Sequence, residues 1–399
     1  LRNRNLFWQT TFSHEFSNRW TMTGGAGFGS RMTDIYLHSS DEEFTMVGQQ
    51  QEVIEENQLS QARVNFNHRH KGETLDLGAE VQSRRDVIAA EGDGGLLQDT
   101  YGAAYAERAG QLFGRLQGRA GLRLEHSTLL DQTNVAPRMS LNYLINSKEQ
   151  LFASWGTYHQ RPATNRLYQT GGLLDFERAE HYTIGYNRNG NKRSFRAEIY
   201  RKEYDQLVRF DPGQQTVDYA NTGNGHARGV DLFYRDRSLG RGTDLWFTYS
   251  FVDAERRYAH YPVAAQPSFV ARHVGNVVLK HFFQKQLLNV GATYTLASGR
   301  PYYNPNRPEE EFNTDRTRPY HNLNVNVAYL PKTKKAFSVI VLTLYNAFNF
   351  DQTLGYEYSS TNLNVRRGIG PLTKRYLFLG YFVNFGIDRT DNIINQQLN

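Results

Sequence analysis

Arginine and tyrosine recur together in three polar stretches far apart in the chain. These are Arg161, Arg166 and Tyr168; Arg256, Arg257, Tyr258, His260 and Tyr261; and Tyr302 and Tyr303. Both side-chain types combine apolar area with hydrogen bonding and are enriched where proteins hold partners. The chemistry on offer is capture of a ligand by stacking and charge; the plainer reading is that these residues only shape the stretches they lie in. Other clusters offer less. His68 and His70 alternate onto one face but sit beside Arg69 and Lys71 with no third ligand evident; zinc sites use three or four. Glu309, Glu310 and Glu311 are flanked by Arg307, Arg316 and Arg318, as in a solvated, salt-bridged loop rather than a calcium site. The glycine-rich GGAGFG at 24–29 lies inside a strand pattern, without the strand-to-helix context that phosphate binding requires. No nucleophile, base and orienting group emerge together, so an enzyme is not expected. No metal and no cofactor is expected either, and with no cysteine there are no disulfides or thiolate ligands.

The elements that must position these residues read as strands. In 113–125, Arg115, Gln117, Arg119, Arg123 and Glu125 alternate with Leu116, Ala120, Leu122 and Leu124. Successive strand side chains point to opposite faces, so one face is polar and the other apolar. Leu75, Leu77, Ala79 and Val81 repeat the pattern, as do Leu323, Val325, Val327 and Tyr329. About seventeen such segments run from 5–13 to 374–387, and most reach the roughly 9–11 residues a tilted strand needs to cross hydrocarbon. Short turns, such as Ser13–Arg19, Glu107–Leu112 and Pro331–Lys335, alternate with longer connections at 34–60, 157–180, 203–225, 253–268, 298–319 and 349–373. Outer-membrane barrels separate short periplasmic turns from long external loops in this way. The mean hydropathy of −0.65 does not oppose the assignment, because only alternate residues face lipid.

The spacing thus predicts an all-β, antiparallel transmembrane barrel over 1–388 in a bacterial outer membrane, with 389–399 as a periplasmic tail. Arg115, Arg119, Arg123, Arg196 and Arg272 are expected to face the lumen. The net charge of +6 then belongs to lumen and loops rather than to nucleic-acid binding. With short turns inside, the first and last segments both run inward. An even-stranded closed barrel then calls for at least one strand before Leu1; the given residues open on neither a methionine nor a signal peptide, so a processed chain or a fragment is expected.

FERAEHYTIGY (176–186), EIYRKEYDQLVRF (198–210), NTGNGHARGVDLFYR (221–235), SGRPYYN (298–304), YHNLNVNV (320–327) and LYNAFN (344–349) occur in an order that resembles TonB-dependent outer-membrane receptors, especially of the Bacteroidetes type. The resemblance implies a 22-stranded barrel plugged by an N-terminal domain, with about five strands and the plug upstream of these residues. It further implies energy-coupled import of a scarce nutrient: an iron chelate, cobalamin, a peptide or a glycan. Implied partners are lipid, lipopolysaccharide, the plug and the TonB system, with a surface lipoprotein as a further candidate. A passive porin, or a surface-binding or assembly component on a receptor-type barrel, is the alternative.

Overall fold

A computed structural model describes residues 2–40, 46–90, 93–211, 218–331, 336–359 and 361–385. Its strands in chain order are β1 (Arg2–Glu15), β2 (Trp20–Ser40), β3 (Met46–His70), β4 (Glu73–Ala90), β5 (Asp93–Phe113), β6 (Leu116–Ser127), β7 (Gln132–Leu144) and β8 (Glu149–Gln160). After a short helix, α1 (Thr164–Thr170), come β9 (Glu177–Asn189), β10 (Arg193–Phe210), β11 (Tyr219–Asp236), β12 (Thr243–Arg257), β13 (His273–Phe283), β14 (Leu288–Ala297), β15 (Tyr320–Tyr329) and β16 (Ala336–Tyr345). A small hairpin of β17 (Gly355–Tyr358) and β18 (Arg366–Ile369) precedes β19 (Tyr376–Phe385). Every strand except β17 and β18 belongs to one 17-stranded sheet. Its registers are all antiparallel and link neighbours in chain order, ending with β16 against β19.

The alternation read from sequence becomes two continuous faces. Leu77, Ala106, Leu122 and Pro137 sit opposite one another across β4 to β7. Leu77 and Leu122 are exposed there, as are Val81, Leu124, Val135, Ile184 and Ile199 on neighbouring strands. Large apolar residues facing outward in rows suit a sheet whose solvent is lipid. The other face of the same strands carries Glu80, Tyr101, Arg123 and Glu125. Arg123 pairs with Glu80 and lies 3.3 Å from Glu125, which also accepts the Tyr101 hydroxyl at 2.6 Å. The sheet curls around that polar face. Between β8 and β9, residues 161–176 cross from Asp86 of β4 to the carbonyl of Val208 in β10. On a flat sheet those strands would lie roughly 29 Å apart at the usual interstrand spacing.

Several strands are longer than the alternation predicts. The stretch 34–60, expected as a connection, instead pairs from Asp34↔Ile54 to Ser40↔Met46. Strands β4 and β5 continue to Ala90 and from Asp93, and β10 and β11 take up much of 203–225. In these extensions backbone pairing persists where the sequence lacks a clear two-residue hydrophobic period. The expected turn Glu107–Leu112 likewise lies within β5, and the chain reverses at Gly114 and Arg115. The tail 389–399 and the residues 332–335 of the Pro331–Lys335 turn lie outside the described residues. Among those described, β1 pairs only with β2, and β19 only with β16.

Candidate ligand site at one mouth of the sheet

Because consecutive strands pair, their connections alternate between two ends. One end carries short turns such as 71–72, 145–148, 190–192 and 284–287; the other carries 161–176, 258–272, 298–319 and 346–375. These last four hold most of the arginine and tyrosine residues singled out above.

The 161–176 strap is anchored on the polar face. Arg161 places one Nη 3.1 Å from Asp86 and the other 3.7 Å from Asp99, both carboxylates being buried. Leu167, Leu174 and Phe176 pack with Leu97, Leu130 and Val208. Helix α1 ends at Gly171 in the left-handed region, where the Gly172 N–H reaches the Leu167 carbonyl at 2.8 Å. Glycine adopts that conformation without a Cβ penalty, and the Gly171–Gly172 pair was the available sequence signal for this unpredicted helix. Tyr168 lies over the backbone of Gly95, where any Cβ would collide with its ring. Arg161 and Tyr168 thus hold the strap down. Arg166 points along it, donating to the Val208 carbonyl at 3.4 Å and lying 5.6 Å from the Phe210 ring centre.

From Phe210 a group of rings extends across the neighbouring connections. His260 lies tilted against Phe210 at 6.0 Å and edge-on to Phe312 at 5.8 Å. Tyr261 contacts Tyr258 at 4.8 Å and Phe312 at 4.7 Å, and Tyr303 meets Phe312 at 5.2 Å. Tyr302 faces Tyr356 at 4.7 Å. The 258–272 connection is seated by two backbone bonds, Ala259 N–H to Val208 and Phe210 N–H to Ala259. Arg256 lies over Tyr204 at 4.1 Å, with Tyr258 and Phe269 farther out, while Arg257 ends β12 exposed. Three separately predicted clusters therefore converge in part: Arg166, Tyr258, His260, Tyr261, Tyr302 and Tyr303 share one surface. Phe210, Phe312, Tyr356, Tyr358 and Arg366 join it and were missed. Phe210 lay inside a strand pattern, and 349–373 carried the same arginine–tyrosine pairing unread.

The surface is short of titrating groups. Partial desolvation, followed by the charge of Arg166, holds His260 below the usual imidazole value. Burial pushes the Tyr258 hydroxyl up to about 12, and burial also raises Tyr302. Arg307 ties down its own connection through Glu311 at 3.1 Å and Asp315 at 3.2 Å. Among the described residues no group of three or more carboxylate, histidine or cysteine side chains is placed to hold a metal ion.

Of the arginines expected in the lumen, Arg119 pairs with Glu107, Arg123 with Glu80, and Arg196 with Glu198 while lying over Phe152. Arg115 sits in the turn before β6 and donates to the Ile145 carbonyl at 2.6 Å. Arg272 stands just ahead of β13 and shares Asp253 with Arg228.

A curled antiparallel meander with an apolar outside, a polar inside and a ring-lined surface over one mouth is the wall of a β-barrel of the outer-membrane type. The chain belongs to the TonB dependent receptor-like, beta-barrel family, whose model matches residues 1–349. In fold it is similar to the copper transporter OprC, at 12% identity and a TM-score of 0.73, covering 96% of this chain and 66% of that one. It is also similar to the siderophore receptor PiuA from Acinetobacter baumannii, at 14% identity and a TM-score of 0.71, covering 96% of this chain and 64% of that one. The ferric yersiniabactin uptake receptor FyuA from Yersinia pestis gives 13% identity and a TM-score of 0.70, covering 96% of this chain and 62% of that one. The chain therefore spans less than two thirds of the length of these structures. A sequence search against curated proteins finds no match.

Sidedness is open to direct measurement. Single cysteines replacing the exposed Asn165, Ala264 and Asn306 should react with an impermeant maleimide on intact cells, whereas Lys285→Cys should react only after lysis. The opposite pattern would invert the topology.

Proposed function

We propose that this barrel serves an outer-membrane active transporter, which captures a scarce nutrient at its external mouth and imports it by TonB-coupled energy transfer. The observation that carries the reading is the convergence of four long connections into one arginine- and tyrosine-lined surface over the polar interior, in a chain of this family. A passive pore gains nothing from a large ring surface at its entrance, because retention slows conduction. In this reading the outer apolar rows meet lipid, the rims meet lipopolysaccharide, and the full protein contributes a plug that couples to TonB. Arg119 and Arg123, with their paired carboxylates, form the polar wall that such a plug would meet. The ligand contacts are Arg166, Tyr258, His260, Tyr261, Tyr302 and Tyr303, with the strap beneath them.

The test is uptake by whole cells carrying the full-length gene. Radiolabelled extracts of spent medium should accumulate through this receptor in energised cells, and accumulation should stop when TonB is deleted or a protonophore is added. Accumulation that is unchanged without TonB would overturn the transporter reading in favour of the porin.

A further inference from the structure

Eight connections close the short-turn end of the sheet, from β1–β2 to β15–β16. Each carries a lysine or arginine, and none carries an aspartate or glutamate. Arg19, Lys71, Arg115 and Lys148 stand in the first four; Lys192, Arg237, Arg241 and Lys285 stand in the next three. By sequence the eighth adds Lys332, Lys334 and Lys335. The described cations are exposed, Arg237 being half-buried. The opposite mouth differs, because its connections mix cations with carboxylates such as Glu309–Glu311, Asp351 and Glu357.

Four carboxylates that flank the short turns lie on strand ends and are taken there. Glu73 pairs with Arg108, Glu149 with Arg188, Asp236 with Arg193, and Asp244 with Arg235. Among the described residues no turn cation has a carboxylate within ion-pair distance. Two arginines instead brace one turn against the next: Arg115 donates to the Ile145 carbonyl at 2.6 Å, and Arg237 to the Asn191 carbonyl at 2.9 Å. The positive charge is held along the rim and is not cancelled.

Its depth is set by the residues beside it. Trp20, His68 and Leu75 lie opposite one another across β2 to β4, in the outward row that continues to Leu77. Phe16, Phe113, Leu239 and Phe283 are large apolar side chains exposed at the same end. Rings at the ends of membrane strands settle at headgroup level. Arg19 adjoins Trp20, Arg115 follows Phe113 by two residues, Lys285 follows Phe283 by two, and Leu239 lies between Arg237 and Arg241. The cations therefore reach headgroup phosphates while their stems lie along apolar surface. They recur once per hairpin, roughly 10 Å apart at the usual strand spacing. A protein partner with one interface would meet only a sector of such a rim, whereas a shell of lipids meets all of it.

We propose that the short-turn rim is a binding belt for anionic phospholipid headgroups of the periplasmic leaflet. Lipopolysaccharide is left to the opposite rim. The choice of leaflet rests on the sidedness of the transporter reading; the preference for anionic lipid does not.

Full-length protein is reconstituted in phosphatidylcholine vesicles with a trace of spin-labelled phosphatidylglycerol or spin-labelled phosphatidylcholine. Electron spin resonance reads the fraction of label immobilised on the protein. Phosphatidylglycerol should associate at least about threefold more strongly than phosphatidylcholine at low salt, since each cation near an anionic headgroup is worth up to about fivefold. The preference should vanish at about 1 M salt, where the Debye length is about 3 Å. Replacing Lys71, Lys148, Lys192 and Lys285 together by Gln should abolish it. Replacing Arg318, Arg367, Lys374 and Arg375 at the opposite mouth by Gln should leave it unchanged. Heat-modifiable migration confirms that both variants are folded barrels. Equal association of the two lipids, a preference that survives the lysine replacements, or equal loss in both variants would overturn the belt. Lysine-dependent binding to isolated peptidoglycan sacculi, without lipid preference, would assign the rim to the cell wall and overturn it too. Labelling of Lys285→Cys on intact cells would overturn the leaflet. No lipid preference with intact TonB-dependent uptake would sink the belt and leave the transporter standing; lipid preference with TonB-independent uptake would do the opposite.

Discussion

Leu122→Arg is expected to block assembly of the barrel, whereas Arg119→Leu, three residues away on the same strand, is expected to be tolerated. Leu122 lies mid-way along β6, in the outward row with Leu77, Ala106 and Pro137, and is 48% exposed despite its apolar side chain. A charge on the lipid face at mid-bilayer costs roughly 2–4 kcal/mol, which lowers the folded-to-unfolded ratio by about 30-fold to several hundred-fold. Arg119 faces the other way and pairs with Glu107 in a half-exposed setting, where such a pair contributes under about 1 kcal/mol. Urea titration of each variant in lipid vesicles, read by heat-modifiable migration, measures the difference. Equal midpoints, or a larger loss for Arg119→Leu, would reverse the assignment of faces.

The second large effect is expected at the strap. Arg161 is 15% exposed and faces Asp86 at 2% and Asp99 at 5%. Arg161→Met leaves two buried carboxylates without their counter-ion, and breaking a buried pair in this way costs about 3–5 kcal/mol. The strap is the element expected to yield at its N-terminal end, since its remaining attachments lie farther along, in the Leu167 cluster, the Arg166–Val208 bond, Tyr168 over Gly95, and the bonds that join Gln169, Asp175 and Phe176 to Tyr219, Asn221 and Gln132. Arg166 should then become a site of rapid tryptic cleavage, detected by mass spectrometry, while the parent protein resists at that bond. Replacing Asp86 and Asp99 by Asn alongside Arg161→Met removes the unpaired charge and should recover much of the protection. Cleavage at the parent's rate in the single variant, or no recovery in the triple one, would show that the ion pairs do not hold the strap.

The barrel could be read from the sequence because lipid imposes a rule on every residue of a spanning strand. Leu75, Leu77 and Val81 against Asp76 and Glu80 announce two faces without any knowledge of neighbours. Where the rule stops applying, legibility stopped. The paired arms 34–40 and 46–60 carry no sustained alternation of apolar and polar residues, so their strand character left no period to detect. Helix α1 is one short turn-rich segment whose stability comes from Leu167 meeting Leu97 and Val208, residues far away in sequence.

The candidate site was legible in its parts and not in its union. Tyr302 and Tyr303 could be singled out as a ligand-type pair, but nothing local says that they meet Phe312 and Tyr356. The same limit applied to Arg161, whose residue type suggested a ligand contact although its partners are Asp86 and Asp99. LYNAFN shows the converse case, a motif whose physics only the structure supplies. Asn346 adopts a positive φ of 50°, and its side chain donates to the carbonyls of Phe350 at 2.9 Å and Lys374 at 2.8 Å. That one residue clamps both ends of the 346–375 connection to the rim.

The unbranched order of the sheet bears on how the molecule comes into being. Each register joins strands adjacent in the chain, so most hairpins can zip as soon as their second arm is available, and the entropy lost on closing such short loops is small. The strap is different: Arg161 and Asp86 are separated by 75 residues and meet only after the four intervening strands, β5 to β8, have curled. Its docking therefore reports on completed curvature. A protease-protected Arg166 would serve as a clock for the last step of maturation, distinguishing barrels that have merely paired their strands from those that have taken their working shape.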